Sequence, residues 1–391
     1  MERIYLDYNA TSPLHPVVCA EIMRVAADHL GNASSRHSYG RRARTIIENA
    51  RAQIAELFGV AVDEIYFTSG GTESNNLVMS SCGAIGPVTV SAIEHASILE
   101  PFRRLLNTRR EQRAEFRVLA VDAIGQVVDA HDENVQQVGA DSPSPSERNG
   151  ILSVQWVNSE TGVVQDLERI ASVARARRQL FHTDGAQAFF RLPTRMAALG
   201  VDAATITAHK SFGPQGVGVL YLRRGIVLEP LCVGGPQERR VRPGTENVLA
   251  IHGMGVLAKL ARSEELWPLD ELRVKRAEFW SELATIERIT RITPEAGSFP
   301  GVLCVALPDL SADVVLSRLD QLGIAASSGS ACAAGGQEPS HVLKAMGLPE
   351  DLQRGALRFS FGGEISREQL RTAAARTSQV VRDLRRAQSV R

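Results

Sequence analysis

The sequence has no excess of either charge. Lys+Arg and Asp+Glu number 44 each in 391 residues. No global field therefore draws in nucleic acid or an anionic membrane, and such a partner would need a local patch. No apolar run is long enough to span a bilayer. Met1 to Ala10 lacks the basic-then-apolar pattern of a secretion signal, so a cytoplasmic protein without membrane contact is expected. The five cysteines, Cys19, Cys82, Cys232, Cys304 and Cys332, are scattered, odd in number and without metal-ligand spacing. That argues against a metal site or a disulfide framework and suits a reducing compartment. No internal repeat is visible. Lysine is almost missing: only Lys210, Lys259, Lys275 and Lys344 occur, and Arg supplies the other cations.

What is present describes a large folded chain. Apolar residues make up 44% and charged residues 23%, which excludes the disordered class. The length predicts more than one domain at roughly 150 residues each. Short apolar runs at Glu64–Phe67, Val88–Ala92, Phe116–Ala120, Ile151–Val157 and Ala203–Ile206 read as buried strands, and Leu167–Gln179 as a helix between them. This alternation predicts an α/β fold with a mostly parallel sheet. A second unit starts near residue 262. Its helices at Pro268–Glu287 and Ala312–Gln321, strands at Gly301–Ala306 and Leu357–Phe361 and a final helix give an α+β pattern. The division read is a large domain over 15–261 and a small domain formed by 1–14 and 262–391. The Arg-rich final helix reads as a solvated face, or else as a docking surface for an acidic partner.

Four segments carry candidate chemistry. Thr68–Asn76 (TSGGTESNN) follows a strand and opens a helix. Its glycines permit a tight turn, and the helix start offers free N–H groups to a phosphate, with Gly71 and Thr72 at the contact. The same residues also make an ordinary Thr-capped helix start. Lys210 ends a β-like run, Thr207-Ala208-His209-Lys210, before a Gly-rich turn. Only lysine supplies an amine that condenses with the aldehyde of pyridoxal 5'-phosphate (PLP), although a surface lysine on a loop has the same local sequence. Asp184, in His182–Gln187, should sit at the C-terminal end of a strand, the edge where α/β sheets bind ligands. There it pairs with a cationic cofactor nitrogen or caps a turn. Ser327–Gly336 (SSGSACAAGG) surrounds Cys332 with small residues that cannot build a core. It predicts an exposed mobile loop, about 327–337, with a reactive thiol.

In this order and spacing the four segments resemble the cysteine desulfurases, PLP enzymes of the aminotransferase-like fold. The resemblance extends from Tyr5–Thr11 to Arg358–Gly362 and takes in Gly31–Ser35, Glu94-His95, Val157–Gly162 and Arg242–Thr245. Ser-Ser-Gly-Ser-Ala-Cys resembles the group with the long mobile cysteine loop. The resemblance implies a PLP-dependent transferase fold, with a seven-stranded, mostly parallel sheet in the large domain. It also implies roles. Lys210 would bond to the cofactor and move the substrate proton, Asp184 would pair with the ring nitrogen, and His95 would stack on the ring. Gln187 would meet the phenolic oxygen. Thr72, Thr207 and His209 would hold the phosphate, and Thr245 would reach that of a neighbouring subunit. Arg358 and Asn158, helped by Asn9, would bind the substrate carboxylate. Cys332 would receive sulfur from L-cysteine as a persulfide and hand it to a sulfur-acceptor protein. A homodimer is implied, and no direct nucleic-acid binding. Another PLP chemistry, such as transamination or selenocysteine lysis, and a non-catalytic docking protein are the competing readings; the first would need no mobile thiol.

Overall fold

The computed structural model describes residues 3–82, 86–109, 116–128, 149–329 and 339–389. The chain enters on a two-residue strand, β1 (Ile4–Tyr5). It then builds one seven-stranded sheet from β2 (Ile65–Thr68), β3 (Val88–Ser91), β4 (Phe116–Leu119), β5 (Ile151–Ser153), β6 (Leu180–Asp184), β7 (Ala203–Thr207) and β8 (Gly218–Leu222). The spatial order is β2-β8-β7-β6-β5-β3-β4. Every neighbouring pair is parallel except the two that involve β8. β5, β6, β7 and β8 are buried at every position. That is why they read as continuous apolar runs, since helices cover a parallel sheet on both faces.

Two sequence expectations are adjusted here. The run expected as a strand to Val157 leaves the ladder after Ser153, although Val154 and Trp156 still donate to His182 O and Asp184 O. β8 was not foreseen. It is held against β2 by a close backbone approach: a Cβ on Gly218 would lie 2.7 Å from Gly70 Cα. Only glycine permits that contact.

The C-terminal part forms a small antiparallel sheet, β12-β10-β9, from β9 (Thr290–Arg291), β10 (Val302–Ala306) and β12 (Ala356–Ser360). The helices Leu269–Leu283 and Arg367–Ser389 pack on each other beside it. Phe279 meets Phe359 edge-on, with ring centroids 5.2 Å apart. β11 (Ile324–Ala325) pairs in parallel with β1, and Asp7 bridges to Ser360. The first residues of the chain are thus stitched to its last third. Asn9 follows directly and is delivered to the edge where β6 and β7 end.

Candidate active site

The site gathers at the C-terminal ends of β6 and β7. Asp184 is the last residue of β6. Its Oδ1 accepts from Ala186 N at 2.9 Å and its Oδ2 from Asn75 Nδ2 at 2.8 Å. His182, on the same strand, is fully buried between Ser153 Oγ (2.9 Å) and Thr205 Oγ1 (3.1 Å), and burial lowers its pKa to about 4. It is a neutral, satisfied core residue.

His95 caps the helix Ala96–Thr108, its Nδ1 accepting from Ser97 N at 3.1 Å. Burial lowers its pKa, the Lys210 charge lowers it further, and Asp184 opposes both. The ring is held neutral beside a carboxylate and an amine, as proton transfer near neutral pH requires. Lys210 lies in the turn just after β7. Its backbone carbonyl is gripped by Arg191 through Nε (3.0 Å) and Nη2. His209 is half-buried, 3.3 Å from Thr11 Oγ1, and burial together with Lys210 and Arg191 lowers its pKa to about 4.

The phosphate expectation rests on the helix Gly71–Cys82, whose start follows β2 through Gly70 at φ +153°. Thr72 is exposed in its first turn. Thr207, at the end of β7, is buried with Oγ1 unpartnered among the described residues. Gln187 is also buried, with Nε2 donating to Asn9 O at 2.9 Å and Oε1 unpartnered. Buried polar atoms without partners are costly and rare. Two of them beside a lysine, a carboxylate and a helix N-terminus are the donor and acceptor set that PLP would complete. Thr245 is exposed, on a segment tied back by Arg242 Nε to Glu73 Oε1 at 3.0 Å.

The expected substrate side is more occupied. Arg358 donates Nη1 to Ser159 O (3.0 Å) and Nη2 to Asp7 Oδ1 (2.7 Å), and its buried Nε has no partner among the described residues. Asn158 Oδ1 accepts from Glu160 N, Thr161 N and Thr161 Oγ1, and its Nδ2 lies 3.4 Å from Ile93 O. Asn9 donates to Ser159 O (2.9 Å) and accepts from Arg191 Nη1 (2.8 Å).

Cys332 and its neighbours, 330–338, lie outside the described residues. Ser340, just beyond them, donates to the buried Glu160 Oε2 at 2.5 Å. Cys304, by contrast, is buried on β10, and burial pushes its thiol pKa far up, so it is inert. Among the described residues no cluster of His, Cys, Asp or Glu could hold a metal, and no helix is long and apolar enough to cross a membrane.

Arg191 went unnoticed in the sequence. It is a buried cation stacked over Trp267 at 4.6 Å, and burial lowers its pKa to about 9. No local signal distinguishes it, because the groups that need it lie far away in the chain. Asn75 and Ser97 were equally unmarked as bridging residues.

Fold and site together define a PLP-dependent enzyme of the aminotransferase type. The chain belongs to the aminotransferase class-V family, whose model matches residues 4–372, and within it to the cysteine desulfurases. It is 37% identical to a cysteine desulfurase of Gluconacetobacter diazotrophicus, over 93% of this chain and 90% of that one. Among solved structures, a NifS-like protein from Rickettsia africae is 30% identical with a TM-score of 0.83, covering 97% of this chain and 99% of that one. A structure described as SspA in complex with cysteine is 28% identical with a TM-score of 0.76, covering 92% of this chain and 99% of the other. PLP is the cofactor of this family.

Proposed function

We propose that this chain takes sulfur from L-cysteine, releasing L-alanine and leaving a persulfide on Cys332 for a sulfur-acceptor protein. One observation carries the reading. Lys210, Asp184 and His95 act on one another electrostatically at the strand ends, with two buried polar atoms, Gln187 Oε1 and Thr207 Oγ1, that have no partner among the described residues.

PLP, when bound, supplies an electron sink beside the substrate Cα. The remaining work falls to the chain. Thr72, Thr207, His209 and the helix start at Gly71 would hold the phosphate, with Thr245 contributing across a homodimer. Asp184 would pair with the ring nitrogen, Gln187 would hydrogen-bond the phenolic oxygen, and His95 would stack on the ring. Arg358, with Asn158 and Asn9 behind it, orients the substrate carboxylate. Lys210 Nζ would hold the cofactor, take the Cα proton and later return one. The Cys332 thiolate would attack the substrate sulfur and form an S–S bond as the C–S bond breaks, its electron pair staying on Cβ, which takes up a proton to become the methyl group of alanine. The setting is cytoplasmic, where thiols stay reduced.

The test is Cys332→Ser. The purified variant should stay yellow and bind L-cysteine but release neither alanine nor sulfide beyond background. Full sulfide release by this variant would overturn the role of Cys332. Keto-acid exchange at the wild-type rate of alanine formation would instead favour transamination.

A further inference from the structure

Asn75 occupies a place that none of these roles uses. It is 1% exposed on the helix Gly71–Cys82. Its amide nitrogen lies 2.8 Å from Asp184 Oδ2 and 2.8 Å from Ser97 Oγ, so its two hydrogens serve both. Ser97 Oγ in turn lies 2.7 Å from His95 Nδ1. The backbone N–H of Ser97 points at the same Nδ1. A backbone N–H can only donate, so Nδ1 carries no hydrogen and the neutral ring holds its proton on Nε2. The Ser97 hydroxyl receives one hydrogen from Asn75 and directs its own at Nδ1. Turning the Asn75 amide over would set oxygen against the Asp184 carboxylate. Its orientation is therefore fixed, even though Asn75 Oδ1 stays buried without a partner among the described residues.

We propose that Asn75 is a positioning residue that couples Asp184 to His95 through Ser97, so that the side chain under the ring nitrogen and the side chain on the ring face are set as one unit. The inference rests on the reading of Asp184 and His95 as the groups that meet the cofactor. Asp184 ends a strand and His95 caps a separate helix. A single amide nitrogen is what joins them.

The test uses the full-length holoenzyme carrying isotope-labelled histidine. In the wild type the His95 signals should show an unprotonated Nδ1 and a protonated Nε2. Ser97→Ala should shift the Nδ1 signal while changing cofactor dissociation by no more than about twofold, whereas Asn75→Ala should shift that signal and weaken cofactor binding about tenfold. Asn75→Gln keeps the amide but displaces it, and should move both readouts in the same sense; it stands in if the alanine change prevents folding. A yellow wild type whose Asn75 variants leave the His95 signals unmoved would overturn the coupling alone. A wild type that binds no PLP would overturn the functional reading and the coupling with it.

Discussion

On the proposed cofactor side of the site, Thr207 Oγ1 and Gln187 Oε1 are buried and have no partner among the described residues. On the proposed substrate side, Arg358, Asn158 and Asn9 already hold protein partners, and only Arg358 Nε is left without one among the described residues. The first half is open and waits for a ligand to satisfy it. The second is largely closed on itself: under the proposed reading a substrate carboxylate would meet a guanidinium whose Nη2 is already paired with Asp7. An open half gives up folding stability for ligand affinity. A closed half keeps its geometry without ligand, because leaving Arg358 buried and unpaired would be costly.

The largest effect should come from opening the closed half. Arg358→Lys keeps the charge but not the fork that reaches Ser159 O and Asp7 at once. We expect kcat/KM for L-cysteine to fall about a hundredfold, or about 2.7 kcal/mol, chiefly through KM. Urea unfolding should show a loss of stability as well; unchanged stability would mean that this half is not closed.

Glu94, next in the chain to His95, gives the next effect. It is fully buried, with Oε1 accepting from Ser91 Oγ (2.5 Å) and Gln155 N (2.7 Å) and Oε2 without a partner among the described residues. Burial raises its pKa to about 8. A carboxyl raised on folding adds stability below its unfolded pKa and loses it as pH rises through the folded value. Between pH 6 and pH 8 the wild type should therefore lose about 2 kcal/mol relative to Glu94→Gln, whose side chain does not titrate. Parallel stability curves for the two proteins would refute the buried, protonated carboxyl.

Thr207→Val probes the open half. It should weaken PLP binding about tenfold, since a hydrogen bond to a charged group is lost. The cofactor-free protein should be no less stable, because the hydroxyl removed had no partner. A marked loss of stability in the absence of PLP would erase the contrast between the halves. The smallest effect belongs to Gly71→Ala. A Cβ there would meet Thr205 Cγ2 at 3.6 Å, an ordinary contact. Stability should rise by about 0.5 kcal/mol through the stiffer unfolded chain, read from urea unfolding of the cofactor-free protein.

Much of this was legible early. The parallel strands were apparent because strands buried on both faces are apolar throughout. Lys210 and Asp184 were marked by position, one a rare residue before a glycine turn and the other the end of an apolar run. β8 was hidden, since its antiparallel direction depends on which neighbours it finds. Arg191 was hidden too: the Asn9 side chain it donates to is 182 positions away.

The sequence alone determined the elements and the chemical groups, because backbone preference and side-chain chemistry are local properties. The tertiary structure alone decided which of those groups are satisfied. The Arg358–Asp7 pair closes over 351 positions and the Asn75–Asp184 bond over 109. Whether a buried polar atom is paired or left open depends on such contacts. They exist only once the sheet, the N-terminal strand and the C-terminal unit have come together.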